Sequence, residues 1–125
     1  DRRPWFAAHQ DPSRPIWVCD DAQGVSAWLS VSSFYGRPAY RRTVELALYV
    51  RPDRRRDGLG RYLLEAALQE APRLGVDTML GFIFGHNTPS LQLFSRYGFA
   101  TWGTLPRVAQ LDGIERDLLI LGRRC

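Results

Sequence analysis

Two glycines set among arginines combine the residue types that bind an anion. Gly58 and Gly60 lie between the strand-like run VELALYV and the helix-like run RYLLEAALQEA. Glycine has no Cβ, so its backbone can approach a ligand closely. The first amides of a helix lack intrahelical partners and lie at the positive end of its dipole. Arg55, Arg56 and Arg61 add full charges. This segment, residues 51–61 and here called the glycine loop, predicts a pyrophosphate site; the alternative is a solvated charged turn with a helix-capping glycine.

The glycine loop matches neither of two common phosphate-binding motifs. No G-K-[ST] follows the glycines, as a Walker P-loop requires, and only the G-x-G part of the dinucleotide fingerprint is present. Arginine binds the phosphate oxygens of nucleic acids and of phosphorylated cofactors equally well. Asp53 and Asp57 interrupt the arginines, which argues against a surface that follows a nucleic-acid backbone. We therefore predict a phosphorylated cofactor and no nucleic-acid partner.

A single glutamate interrupts the apolar run before the loop. Glu45 is the one charged residue between Thr43 and Arg51, and a carboxylate within a buried strand is costly unless it has a task or a partner. It is therefore a candidate general base. The alternative is an ion pair with Arg41 or Arg42. His86 is a rival base because its ordinary pKa suits proton transfer, although a solvent-facing histidine in a loop is the simpler interpretation.

The surrounding pattern predicts a mixed α/β sheet that positions these residues. Strands are expected at 16–20, 25–33, 44–50 and 78–84, and two more strands are joined by the strong hairpin signal Asp112–Gly113. One helix follows the glycine loop and should end or kink early at Pro72. A second begins at Thr88 as N-cap, with Pro89 in the first turn, and stops at Gly98. Residues 4–10 are interpreted as the tail of a helix.

Composition limits the class of protein. The chain has 125 residues, 45% of them hydrophobic, and a net charge of +4, so one domain over residues 1–125 is expected. All 17 basic residues are arginine. No run is apolar enough to span a membrane, and no metal site is expected from the two cysteines, Cys19 and Cys125. A reducing, cytoplasmic setting is the simplest interpretation.

Four stretches carry a family resemblance: RPAYRRTVELALYVRPDRRRDGLGRYLLEAAL, GHNTPSLQLFSRYGF, WGTLPRVAQLDG and the Asp117 that follows. RRDGLG matches the R/Q-x-x-G-x-G/A signature of the GNAT acyltransferase superfamily. Taken together, the stretches resemble the phosphinothricin N-acetyltransferase family, from about Trp5 to Gly122. The resemblance implies a GNAT-like fold, acetyl-CoA as co-substrate, a small-molecule amine acceptor of the phosphinothricin or methionine-sulfone type, and a possible homodimer.

The resemblance also implies roles for individual residues. Glu45 matches the family's base, which promotes direct attack of the amine on acetyl-CoA. The acceptor would be bound by the loop residues Phe34, Tyr35, Arg37 and Tyr40. The cofactor would be bound by Leu48, Tyr49, Val50, Arg55, Arg56, Gly58, Gly60, Arg61, Asn87 and Ser90.

Two positions depart from the family pattern. Phe94 stands where relatives carry tyrosine or histidine, and phenylalanine has no proton to give. Tyr97 is one helical turn further on and is expected to pack in the core. Glu115 and Leu111 replace residues of the family's acceptor pocket, which leaves the acceptor open. The alternative functions are a catalytically inactive acyl-CoA-binding fold and an arginine-rich nucleic-acid-binding module.

The resemblance finally predicts an N-terminally shortened chain. Family members have a strand and a helical region before the segment that matches RRPWFAA, and nothing here corresponds to them. We therefore expect a GNAT-like fold lacking its first strand and helix. Residues 16–20 would then form an exposed sheet edge, with Trp5, Phe6 and Trp17 partly uncovered.

Overall fold

The computed structural model describes residues 5–7, 13–35, 38–55 and 57–125. Single 3₁₀ turns lie at Pro38–Tyr40 and Pro52–Arg54. The helices are α1 (Leu59–Leu74) and α2 (Thr88–Arg96). The strands are β1 (Trp5–Ala7), β2 (Ile16–Asp21), β3 (Gly24–Ser33), β4 (Thr43–Val50), β5 (Thr78–Phe84), β6 (Ala100–Leu111) and β7 (Ile114–Arg124).

The strands form one mixed sheet in the order β1-β2-β3-β4-β5-β7-β6. Neighbours run antiparallel except β4 and β5, which are parallel and are connected through α1. Pairing between β4 and β5 extends only from Thr43 opposite Thr78 to Leu46 opposite Gly81. The last four residues of β4 therefore have β3 on one side and no strand partner on the other. The prediction of a mixed α/β sheet is confirmed.

Both helices pack on one face of the sheet. Val44 and Leu46 of β4 are buried on this face, together with Leu63 and Leu64 of α1. Phe94 of α2 reaches the same face, since its ring lies where a Cβ on Gly81 would point. Because successive side chains of a strand alternate between faces, Glu45, Ala47 and Tyr49 belong to the opposite face. This alternation separates the predicted base from the helices.

Helix α1 continues past its proline. Of the two effects expected of Pro72, an early end or a kink, the early end is wrong by two residues, because α1 ends at Leu74. Pro72 lacks the N–H that would bond to the Leu68 carbonyl, so the disturbance falls on the preceding turn and the two residues after Pro72 can still be helical. Gly75 terminates α1 in the left-handed conformation, with φ 72°, and its N–H donates to the carbonyl of Pro72. No described helix is long and apolar enough to cross a membrane.

The N-cap of α2 is Asn87, whereas the sequence suggested Thr88. The Asn87 side chain accepts a hydrogen bond from the Ser90 N–H at 3.3 Å. Thr88 is the first helical residue and Pro89 follows it. Asparagine, serine, threonine and aspartate all serve as N-caps, so the sequence alone could not separate two adjacent candidates. The correction gives Asn87 a structural task in addition to the predicted one.

The structure contradicts three N-terminal predictions: the helix over Trp5–Ala7, the exposed edge over residues 16–18 and the partly uncovered Trp17. Trp5–Ala7 is a strand rather than part of a helix, and residues 4 and 8–10 lie outside the described part of the chain. This strand pairs antiparallel with Ile16, Trp17 and Val18, so the predicted exposed edge is covered there. Trp17 is also buried, because its side chain faces the helix-covered core. The side chains of Trp5 and Phe6 are not among those described.

Candidate active site

A cleft of about 1040 Å³ opens where β4 leaves β5. Its walls come from the end of β4, the glycine loop, the first turns of α1 and the length of α2. Every predicted cofactor residue that the structure describes lines it; Arg56 lies outside the described residues. These residues are Leu48, Tyr49, Val50, Arg55, Gly58, Gly60, Arg61, Asn87 and Ser90.

The two glycines of the loop serve different purposes. Gly58 is the N-cap of α1 with φ 76°, a left-handed conformation that strains other residues, and a Cβ there would meet no atom within 4 Å. Gly60 is buried, and its Cβ would lie 3.1 Å from Leu93 of α2 and 3.5 Å from Leu48 and Val50 of β4. Gly58 therefore leaves backbone open to a ligand, whereas Gly60 lets α1 pack closely on β4 and α2.

The arginines of the loop divide into two groups. Arg51 pairs with Asp53 at 2.7 Å and with Asp21 at 3.2 Å, and Arg54 pairs with Asp21 at 3.3 Å and Asp57 at 2.8 Å. The two pairs with Asp21 connect the loop to the end of β2, and the other two lie within the loop. Arg55 and Arg61 line the cleft instead, together with Arg96 of α2, so these two are the described loop arginines that can reach an anion there.

Asp21 is a supporting residue that the sequence did not reveal. The pKa of its carboxyl is lowered, first by a hydrogen bond from the backbone N–H of Gln23. The charges of Arg51 and Arg54 and a hydrogen bond from Arg51 lower it further. Asp21 lies 30 residues before Arg51, so no local motif indicates the contact.

Tyr97 also differs from expectation. It packs against the core, as predicted, yet it lines the cleft and its hydroxyl donates to Glu65 Oε2 at 2.5 Å. Arg61 Nε donates to the same oxygen at 3.3 Å. Burial, and then the hydrogen bond to Glu65, raise the pKa of Tyr97. The hydrogen bond from Tyr97, and then the one from Arg61, lower the pKa of Glu65. The hydroxyl thus remains a donor to a charged carboxylate.

Glu45 lies close to the cleft on the other face of the sheet. It is half-buried and its Cα is paired with Ser32 of β3 and Leu80 of β5. It precedes by one residue the last pair between β4 and β5. Among the described residues we find no hydrogen bond or ion pair of its carboxylate. The two predicted ion-pair partners have other contacts, because Arg42 binds Asp77 at 2.8 Å and Arg41 donates to the Pro38 carbonyl.

The predicted acceptor residues form an aromatic cluster outside the cleft. The ring centroids of Phe34 lie 4.4 Å from Tyr35 and 5.4 Å from Tyr40. Phe34 follows Ser32 by two residues, so the cluster begins at the end of β3 where Glu45 is paired. Arg37 lies outside the described residues. The structure thus separates an aromatic region near Glu45 from an arginine-lined cleft.

Two further candidates occupy less suitable positions. His86 is exposed in the turn after β5, and its ring stacks on Phe84 at 5.9 Å. Phe94 is 2% exposed and contacts Phe99 edge-on at 4.9 Å. Phe94 is not among the residues that line the cleft, and its side chain has no proton to give.

The fold and cleft together define a class, the acyltransferases that bind an acyl-CoA where two parallel strands diverge. Residues 1–99 match the model of the Acetyltransferase (GNAT) family. YwnH of Bacillus subtilis, described provisionally as a phosphinothricin acetyltransferase, is 51% identical over 98% of this chain and 76% of that protein. The chain belongs to the GNAT acetyltransferase family, and the predicted resemblance is confirmed.

Two other relatives extend the comparison. The L-methionine sulfoximine/L-methionine sulfone acetyltransferase of Pseudomonas paraeruginosa is 36% identical over 97% of this chain and 71% of that protein. The crystal structure of a phosphinothricin acetyltransferase from Sinorhizobium meliloti in complex with acetyl-CoA has a TM-score of 0.82 and 29% identity, covering 89% of this chain and 60% of that one. These findings confirm the prediction of an acetyl-CoA-dependent acetyltransferase.

Proposed function

We propose that this protein transfers the acetyl group of acetyl-CoA to the primary amine of a small amino-acid-like acceptor, with Glu45 as general base. One observation carries the proposal. The predicted cofactor residues surround a cleft that opens between β4 and β5, and Glu45 lies one residue before that opening on the opposite face. Cofactor and acceptor can therefore approach from different faces of the sheet and meet at the gap.

The cofactor end of the cleft suits a diphosphate. Arg55 and Arg61 supply charge, and Gly58 leaves room beside the first amides of α1, which have no intrahelical partner. Further along, the unpaired side of β4 from Leu48 to Val50 offers backbone donors and acceptors to the amide groups of the pantetheine arm. Bound acetyl-CoA would supply a thioester, whose carbonyl carbon is the electrophile.

Glu45 would act on the incoming amine. The ammonium form of the acceptor would first give one proton to the Glu45 carboxylate, directly or through a water molecule, which frees the nitrogen lone pair. The neutral nitrogen would then bond to the acetyl carbon, the carbon–sulfur bond would break with its electron pair leaving on sulfur as a thiolate, and the second nitrogen proton would pass to solvent. The half-buried place of Glu45 in a strand strengthens the interaction of its carboxylate with a cationic amine. Phe94 cannot protonate the thiolate, so solvent would do so.

The aromatic cluster is the proposed acceptor region. Phe34, Tyr35 and Tyr40 form an apolar wall with two hydroxyl groups at the end of β3 near Glu45. Such a wall fits the methyl and methylene groups of an amino-acid-like acceptor, and Arg37 is the candidate partner for its carboxylate. The methionine-sulfone and phosphinothricin names of the relatives support this class of acceptor.

The test is acetyl transfer to a panel of amines. The readouts are the release of free thiol and the mass of the product. We expect turnover with phosphinothricin, methionine sulfone or methionine sulfoximine, and none with polyamines or protein N-termini. Turnover with the latter acceptors alone would contradict the proposed class. Because Phe94 removes a proton donor, an inactive acyl-CoA-binding protein is the second candidate, and binding of acetyl-CoA without turnover of any amine would favour it.

A further inference from the structure

One carboxylate lines a cleft that is otherwise suited to a polyanion. Among the described residues around the cleft, Glu65 is the acidic one, and Arg55, Arg61 and Arg96 are basic. A negative charge there opposes phosphate binding through like-charge repulsion. It also determines how one neighbouring cation is used, because it pairs with Arg61.

Glu65 is anchored more firmly than its cationic partner. Its Oε2 accepts from the hydroxyl of Tyr97, and Tyr97 is itself held by packing against the core and by Arg123, which donates to its carbonyl at 2.7 Å. Arg61 approaches the same oxygen at 3.3 Å, and its side chain is 71% exposed. Arg61 is therefore the partner that can leave.

We propose that Glu65 is a positioning residue that competes with the diphosphate of coenzyme A for Arg61, and that the hydrogen bond from Tyr97 sets how strongly it competes. An exposed arginine–carboxylate pair within one helix is weak. A charge-assisted bond from arginine to phosphate is stronger, so the exchange favours the bound cofactor and reverses on its release. The inference rests on the proposed function, because it takes the cleft to be the coenzyme A site.

The competition predicts opposite effects from two conservative substitutions. Glu65→Gln removes the competing charge, and coenzyme A should bind about two- to fivefold more tightly, the scale of a weak ion pair. Tyr97→Phe removes one donor from Glu65, which then holds Arg61 more strongly, so coenzyme A should bind about two- to fivefold more weakly. In the double variant the affinity should follow Glu65→Gln.

Two controls separate the competition from simpler effects. Glu70→Gln removes the same charge from the same helix and also breaks an arginine pair, with Arg73 at 3.0 Å; we expect unchanged affinity because Glu70 does not line the cleft. In an Arg61→Met background the gain from Glu65→Gln should shrink. Direct repulsion between Glu65 and the cofactor would leave that gain undiminished.

The measurement is calorimetric titration of each variant of the 125-residue chain with coenzyme A at low salt, repeated near about 0.5 M salt, where screening should reduce the differences in affinity. Circular dichroism checks that each variant folds. The inference is overturned if Glu65→Gln behaves like Glu70→Gln, if Glu65→Gln and Tyr97→Phe shift the affinity in the same direction, or if the Arg61→Met background leaves the gain intact. If the wild type itself does not bind coenzyme A, the proposed function fails as well.

Discussion

Two single residues have features that are usually unfavourable in their positions, a charge within a strand and a left-handed backbone. Glu45 places a carboxylate in a strand between β3 and β5, and Gly58 takes a left-handed conformation at the start of α1. Both lie next to the gap between β4 and β5. A carboxylate is not needed to form a strand, and Gly58 leaves backbone open beside the first amides of α1, so we propose that both residues serve the chemistry of the cleft.

Glu45→Gln should retain coenzyme A affinity and lower kcat by about 10² or more, the usual effect of removing a general base. The amide is nearly isosteric but cannot accept a proton at neutral pH. Ser32→Ala, at the position paired with Glu45 on β3, is the control and should remain close to wild type. The measurement is kcat as a function of pH. A pH–rate profile that is unchanged in Glu45→Gln would redirect attention to His86.

Gly58→Val should weaken coenzyme A binding, and the loss of binding free energy should exceed the loss of folding free energy. The valine side chain would occupy the open space beside the first amides of α1, and the left-handed backbone costs about 1–2 kcal/mol of stability for a residue with a Cβ. Gly75→Val is the matched control, because Gly75 is also left-handed, with φ 72° and open space around its Cβ, at the opposite end of α1. Calorimetry and thermal melts of both variants compare the two effects. Equal coenzyme A affinity in the two variants would refute the assignment of Gly58.

Helix α2 combines a structural end with a wall of the cleft. Asn87 caps the helix through Ser90, and the following residues line the cleft along one side of α2. The side-chain carbonyl of Asn87 is used in the cap, while its amide NH₂ can still donate to a ligand. A structural role and a cofactor role are thus compatible in one side chain, and two substitutions can separate them.

Asn87→Ala should cost about 0.5–2 kcal/mol of stability through loss of the cap. Asn87→Asp should keep that stability, because aspartate is an equally good N-cap, and yet lose coenzyme A affinity, since it lacks the donor and adds a negative charge. Thermal melts and calorimetry measure the two properties. If both variants bind coenzyme A like wild type, Asn87 is a cap only.

At the scale of the whole molecule, acidic side chains connect segments that are distant in sequence. Asp21 joins the end of β2 to the glycine loop, Asp77 joins the start of β5 to Arg42, and Glu65 joins α1 to Tyr97 after α2. Each of these carboxyls has a lowered pKa. The largest causes are the hydrogen bonds from the Gln23 backbone N–H, from Arg42 and from Tyr97, respectively.

These lowered pKa values predict the pH dependence of stability. A carboxyl that is more acidic in the folded state adds stability that is complete above its unfolded pKa, about 4. That stability is lost as the pH falls through the folded pKa. The Tm should therefore stay level from neutral pH to about pH 5 and fall below about pH 4.

Asp21→Asn should lower the Tm at neutral pH and flatten the fall in acid, as measured by melts between pH 3 and pH 7. Glu115→Gln, an exposed carboxylate on β7, is the control and should preserve the wild-type profile. An acid fall as steep in Asp21→Asn as in wild type would show that the contacts of Asp21 do not contribute to it.

Much of the fold follows from local sequence. Alternating residues predict β4, a continuous apolar run predicts β5, Asp112–Gly113 turns β6 into β7, and Gly98 stops the second helix, because each signal acts over a few residues. The glycine loop likewise predicts an anion site from its own residues and position. Its neighbours Asn87 and Ser90 came from the family resemblance, since helix-capping residues do not by themselves indicate a ligand.

Tertiary structure alone decided the contacts that join distant segments. Asp21 reaches Arg51 and Arg54, and Tyr97 reaches Glu65 over 32 residues; neither partnership leaves a local pattern. Trp5–Ala7 is a strand because it pairs with β2, and its short apolar sequence fits a helix equally well. Gly60 is required by close packing on Leu93 of α2, a contact that no local pattern indicates. In each case the deciding energy comes from an interaction between segments, and such an interaction exists only after the chain has folded.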